Sequence, residues 1–284
     1  MVKMTMMSRF VTSADGTQIW AEETGDHTRP AIVFLPGFGF SSLAFEKQFG
    51  DLFLQKYHLV RYDCRGHARS DQPTTADAYT SKCMAEDFQA ICESFNLQRP
   101  VLAGWSFGGT ISSDICEHLG ESYLSGIIYL GGIPYFSAFK EVGNNLMGPT
   151  FQTLANPDAS ATELSEAIVF LVDSCVADGY EISTEKKWLW CGIILSQSPR
   201  VRPLIISKRQ NSDSILAAGA KLPICVIHGA KDKHLDVHKV EEFAKEKFGQ
   251  VDFHALNQAG HMPFYECPEK TNQLILDFMR RMGA

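Results

Sequence analysis

Val101-Leu102-Ala103-Gly104-Trp105-Ser106-Phe107-Gly108-Gly109 passes from an apolar run into a serine flanked by glycines, and the residues after it read as a helix through Leu119. A strand over Val101–Trp105 followed directly by a helix over Phe107–Leu119 places Ser106 on the sharp turn between them. The spacing has a chemical reason. A serine on such a turn has strained backbone angles and projects its hydroxyl out of the sheet. Its neighbours two positions away must be small, because the helix crosses close to the strand there. Gly104 and Gly108 meet that need, and Gly109 extends it. The start of the helix also offers free N–H groups to a developing negative charge. Ser106 is therefore the candidate nucleophile, and a serine needs a base to take its proton.

Working outward, strands are expected at Ser8–Ser13 and Gln18–Glu23, joined at Asp15-Gly16, a strong hairpin signal. Ala31–Leu35 is a short apolar run ending at Pro36-Gly37, as suits a strand buried on both faces. His58–Asp63, Leu124–Leu130, Leu222–His228 and Val251–Leu256 also read as strands. Met84, Phe88, Ile91 and Phe95 recur at helical spacing within a helix near Ser81–Leu97. Further helices are expected at Asp236–Phe248 and from Pro268 onward, with Leu274, Phe278 and Met282 on the inner face of the last. Strands alternating with helices imply an α/β fold. Its mostly parallel sheet carries helices on both faces and an antiparallel N-terminal hairpin. From Pro134 to about Ala220 the alternation lapses into helical stretches. The expected organisation is a core of residues 1–133 and 221–284 with an inserted helical cap at 134–220.

His261, in Ala259-Gly260-His261-Met262-Pro263, follows the last strand, at the end of the sheet where Ser106 emerges. It is the candidate base. His67 and His228 sit near strand ends and are possible supporting residues. His27, His58, His118, His234, His238 and His254 lack such a setting. The orienting acid should follow a strand and precede His261. In Val226-Ile227-His228-Gly229-Ala230-Lys231-Asp232 a strand runs into a loop ending in Asp232, with Asp236 as the alternative. A carboxylate there would hold the imidazole in the right tautomer and stabilise its protonated form. The chain order Ser106, Asp232, His261 is the one expected for a serine on a strand-to-helix turn.

The strings Leu35-Pro36-Gly37-Phe38-Gly39, Asp63-Cys64-Arg65-Gly66-His67-Ala68-Arg69-Ser70, Gly104-Trp105-Ser106-Phe107-Gly108-Gly109, His228-Gly229-Ala230-Lys231-Asp232 and Gly260-His261 together resemble the α/β-hydrolase superfamily across essentially the whole length. The likeness is greatest to its short-cap esterase, haloperoxidase-like and perhydrolase-like members. The strings are specific for the fold and weak evidence for any one substrate. The resemblance implies an oxyanion hole from the backbone N–H groups of Phe38 and Phe107. Many relatives carry His-Gly where this chain has Pro36-Gly37. The Phe38 donor survives that change, whereas side-chain support from the usual histidine does not. Similar proteins also carry glycine where Ala68 stands. If that position needs a positive φ, alanine carries a strain of about 1 kcal/mol or more. Asp63 and Arg65 are expected to pin this loop beneath the site.

The formal net charge of −7, with no cluster of basic residues, argues against a nucleic-acid partner. The N-terminus shows no apolar core of signal-peptide length and no stretch reaches the ~20 apolar residues that span a bilayer, so a soluble cytoplasmic enzyme without a membrane partner is expected. The 8 cysteines form no CxxC pair and read as buried free thiols. Trp105, Phe136, Trp188, Trp190 and Met262 are candidate pocket residues, with Phe151 and Phe170 as further aromatics above Ser106. Lys186, Lys187, Arg200 and Arg202 read as solvated surface.

The chemistry expected is hydrolysis of a small or medium, largely apolar carboxylic ester or lactone through an acyl-enzyme, without metal or organic cofactor. The same triad would also serve a C–C bond hydrolase or a perhydrolase. A third alternative is a small-molecule receptor that keeps the residues without turnover.

Overall fold

The computed structural model describes residues 6–283; residues 1–5 and 284, at the outer ends of the expected core segments, lie outside it. Eight strands form one sheet: β1 (Met7–Thr12), β2 (Gln18–Gly25), β3 (Ala31–Leu35), β4 (His58–Tyr62), β5 (Val101–Trp105), β6 (Gly126–Leu130), β7 (Ile224–Gly229) and β8 (Val251–Leu256). Their order across the sheet is β1-β2-β4-β3-β5-β6-β7-β8. The β1–β2 hairpin and the β2–β4 pair are antiparallel, and every other pair is parallel. Strands β3, β5, β6 and β7 are buried along their whole length. That is why they read as unbroken apolar runs rather than as alternation.

The helix Ser81–Ser94 buries Met84, Phe88 and Ile91, the stripe expected from the sequence. It stops short of Leu97, because Asn96 takes a positive φ of 54° and the Leu97 N–H turns back to the Cys92 carbonyl. That is a common helix stop. The last helix, Pro268–Arg281, buries Leu274, Ile275 and Phe278. Between β6 and β7 lie the helices Phe139–Val142, Gly148–Ala155, Ala161–Ser174, Thr184–Ser196, Arg202–Ile206 and Asp213–Gly219, with no strand among them. Ser160 and Glu163 form a reciprocal capping box at the start of the third of these.

Two anchors fix the loop after β4. Asp63, wholly buried, accepts from the Ser42 N–H (2.7 Å) and hydroxyl (2.8 Å) and pairs with Arg69. Arg65, also wholly buried, forks onto both carboxylate oxygens of Asp87 (2.7 and 2.6 Å) and reaches Asp15 in the hairpin turn (2.8 Å). Such bidentate contacts fix direction as well as charge. Ala68 lies in this loop at φ 45°, the left-handed region where a side chain is strained.

Candidate functional site

Ser106 sits between β5 and the helix Phe107–His118 at φ 50°, ψ −117°, a conformation L-residues rarely adopt. The glycines around it have no room for anything larger. A Cβ on Gly104 would stand 2.5 Å from the Gly109 nitrogen, and one on Gly108 would stand 2.3 Å from the Leu35 carbonyl oxygen. The helix is thus pressed against both β5 and β3, and the turn that carries Ser106 is held sharp.

Ser106 and His261 line one cavity of about 520 Å³. His261 is buried, and its Nδ1 lies 2.8 Å from Asp232 Oδ2. Asp232 also accepts the N–H groups of His234 (2.7 Å) and Leu235 (3.1 Å), and His228 Nε2 lies 3.0 Å from the same Oδ2. Burial opposes the charge on Asp232, but His261 and then His228 outweigh it and hold the carboxyl well below the usual range. Asp236 plays a different part: it caps the helix Val237–Lys247, accepting from the His238 and Lys239 N–H groups. Glu266 accepts the Gly260 N–H (2.8 Å) and the Ala177 N–H (2.7 Å), tying the loop that bears His261 to the helical segment between β6 and β7. Burial still pushes its carboxyl up to about 7.

Phe38 and Phe107 both line the cavity. Neither of their N–H groups donates to a protein acceptor among the described residues. His67 lies behind them, stacked on Phe107 (centroids 5.3 Å apart) and edge-on to Phe38 (5.9 Å).

The expected pocket is corrected in part. Phe136 lines the cavity, as does Phe151, and both come from the segment between β6 and β7. Trp188 does not: it is 70% exposed on the outer face of the helix Thr184–Ser196. Trp190, two residues on, turns to the opposite face and is buried against Phe40 and Tyr265. Phe170 is likewise on the surface. Trp105 and Met262 are buried beneath the site, and the Trp105 indole N–H donates to the His261 carbonyl (2.9 Å), fixing that residue's backbone from below. Arg202 is not solvated surface but buried, donating to the Ile194 carbonyl.

Sequence reasoning passed over three residues that the fold brings here. His234 packs on His261, the rings tilted by 34° with centroids 4.1 Å apart, and both line the cavity. The Asp232 side chain curls the backbone back through residues 234 and 235, a turn that aspartate favours. Burial, then His261, pushes the His234 imidazole well below its usual range, so it stays neutral. The other two are Lys208 on the cavity wall and Asp114 paired with it. Asp114 follows Ser106 by eight positions and is the one charged residue in 107–116, which was the available signal.

Glu23, His27 and His58 bring ligand-type atoms together, as do Cys225, Asp252 and His254. His58 and Cys225 lie at the beginnings of β4 and β7, away from the strand ends that face Ser106. No helix among the described residues is long and apolar enough to cross a membrane. All eight cysteines are free.

A family model described as alpha/beta hydrolase fold matches residues 30–268. Protein ABHD8 of Homo sapiens is 26% identical over 258 residues, covering 87% of this chain and 54% of its own length. The chain thus spans about half of that relative. The AB hydrolase superfamily protein YisY of Bacillus subtilis is 25% identical over 278 residues, 96% of this chain and 99% of that protein. Among solved structures, an aryl esterase candidate from Burkholderia cenocepacia superimposes with a TM-score of 0.88 at 25% identity, covering 97% of this chain and 99% of the other.

Proposed function

The chain belongs to the alpha/beta hydrolase fold family, and from that membership we propose a serine hydrolase that cleaves a small or medium, largely apolar carboxylic ester or lactone. Hydrolysis as the general activity is supported by the family and by the esterase-like neighbour. The observation that carries the finer reading is His261, held at 2.8 Å by Asp232 and lining the same cavity as the strained Ser106.

In this reading the Ser106 hydroxyl attacks the ester carbonyl while His261 Nε2 takes its proton. The Nδ1–H is committed to Asp232, so the tautomer is set and the imidazolium that forms is stabilised. The Phe38 and Phe107 N–H groups bind the tetrahedral oxyanion, aided by the helix that begins at Phe107. The imidazolium returns its proton to the leaving alkoxide. Water, deprotonated by the same imidazole, then releases the acid and restores Ser106. Residues 134–220 act as the cap, supplying Phe136 and Phe151 to the pocket. A cavity of about 520 Å³ suits a ligand of moderate size.

A fluorophosphonate probe should label the protein at Ser106, and a panel of p-nitrophenyl esters should be turned over. Ser106→Ala should abolish both. Labelling that survives the substitution would place the nucleophile elsewhere. No turnover by the wild type, with ligand-dependent thermal stabilisation instead, would make the site a receptor.

A further inference from the structure

The mouth of the main cavity carries a charge that the proposed triad does not use. Of the residues that line this cavity, Ser137 and Lys140 are exposed and the rest are buried or half-buried, so these two mark its mouth. Between them and the buried His261 the wall is apolar, from Ile133, Phe136, Phe139, Phe151 and Ile206. A second hollow of about 10 Å³ adjoins Ser106 and His261, walled by Phe40, Leu171 and Cys175. That is room for about one water molecule. The two spaces that meet at Ser106 are therefore unequal. They suit an ester with one small part and one part long enough to follow the apolar wall towards the mouth.

Two lysines line the main cavity, and among the described residues no aspartate or glutamate does. Lys208 is wholly buried and paired with the equally buried Asp114, so its charge is balanced inside the protein and sealed from the cavity. Lys140 differs on both counts. It is exposed, and it is not among the lysines that form ion pairs within the described residues. Glu141, its neighbour in the helix Phe139–Val142, acts instead on Tyr135 and Lys247. The mouth thus presents an unbalanced positive charge on a chain whose formal net charge is −7. A carboxylate that stops at the mouth keeps part of its water, so pairing there avoids the desolvation cost of a buried ion pair. An ammonium in the same place would meet a like charge.

We propose that the larger part of the ester is an apolar chain ending in a carboxylate, and that Lys140 receives this end at the cavity mouth. The inference rests on the serine-hydrolase reading of the same site, and it names the substrate class within it.

Methyl esters test it, because a methoxy leaving group is too small to fill the main cavity and the acyl chain must do so. The substrates are the monomethyl esters of hexane-, octane- and decanedioic acid, each beside its terminal amide and the amine-terminated methyl ester of the same length. The amide keeps the shape of the carboxylate without its charge, and the amine reverses the sign. Acetates of the matching hydroxy acids, with their amide and amine counterparts, cover the reverse orientation of the ester. At low ionic strength and at one length or more, the wild type should favour carboxylate over amide in kcat/KM by about two- to fivefold, the range of an exposed ion pair. The amine should rank last. Salt near molar concentration should remove most of this order. Lys140→Gln should bring the carboxylate ester down to the level of its amide, and Lys140→Glu should put the amine first. Wild-type enzyme that fluorophosphonate labels at Ser106 but that treats the three chain ends alike, at every length and in both series, overturns this inference and leaves the hydrolase reading standing. So does a carboxylate preference that persists in Lys140→Gln. Absence of labelling overturns both. The wild-type series at low and high salt decides the matter even if a variant does not fold.

Discussion

His67 is wholly buried between the two phenylalanines whose N–H groups frame the proposed oxyanion site. Its Nδ1 lies 3.0 Å from the Arg65 carbonyl, while its Nε2 has no partner. Burial pushes its pKa down to about 4, so the ring is neutral in the folded protein. Unfolded, it would titrate near 6.5. The sign follows from proton counting. Below 6.5 the unfolded chain takes up a proton that the folded chain refuses, so stability is lost as the pH falls from 6.5 towards 4. By pH 5 this one group accounts for a loss of about 2 kcal/mol, at 1.36 kcal/mol per unit. The stability difference between pH 7 and pH 5, measured by urea unfolding, should shrink by about that amount in His67→Gln. An unchanged difference would mean that the folded imidazole already accepts the proton. The neighbouring Ala68, at φ 45°, carries the strain foreseen for a position where glycine is usual.

At the level of elements, the meeting of β3, β5 and the helix Phe107–His118 sets the geometry of Ser106. Gly108 is the contact point, with space for a hydrogen but not for a methyl against the Leu35 carbonyl. Backbone on both sides prevents a side-chain adjustment, so Gly108→Ala must push the helix away from β3. The expected cost is about 1–3 kcal/mol, read as a lower unfolding midpoint. Labelling at Ser106 should also slow, since the turn opens. A normal melting curve with normal labelling would show that the approach is looser than described. The elements themselves were legible because their burial is simple. Ala31–Leu35 and Val101–Trp105 are buried on both faces, and their ends are marked by Pro36-Gly37 and by Ser106. Asp232 and His261 could be placed because each follows a strand at the same rim of the sheet. His234, Lys208 and the outward turn of Trp188 could not. Their positions depend on how irregular loops and short helices fold back over the sheet, and no periodic pattern records that.

Across the whole molecule, the helical segment between β6 and β7 is fastened to the sheet-bearing part at many points, and three of them lie near the loops that frame Ser106. Glu266 bridges Ala177 and Gly260, Gln197 donates to the Gly66 carbonyl (2.8 Å), and Trp190 packs its ring against Phe40 (5.9 Å) and Tyr265 (4.8 Å). Of these, Trp190 contributes the large apolar surface. Phe40 lies in the loop after β3 and packs on Trp105, while Tyr265 follows His261 in the helix Pro263–Glu266. One indole thus joins the helical segment to the two loops on either side of Ser106. Trp190→Ala should cost about 3–5 kcal/mol, as expected for deleting a buried aromatic ring. It should also raise KM for esters as the cavity walls loosen. Trp188 belongs to the same helix and has the same chemistry, but its ring is in water, so Trp188→Ala should change stability by no more than about 0.5 kcal/mol and leave ester kinetics as they were. The pair is diagnostic because a sequence pattern treats the two tryptophans alike and the fold does not. Equal effects from both substitutions, in melting and in KM, would mean that the helix Thr184–Ser196 is rotated from the orientation described.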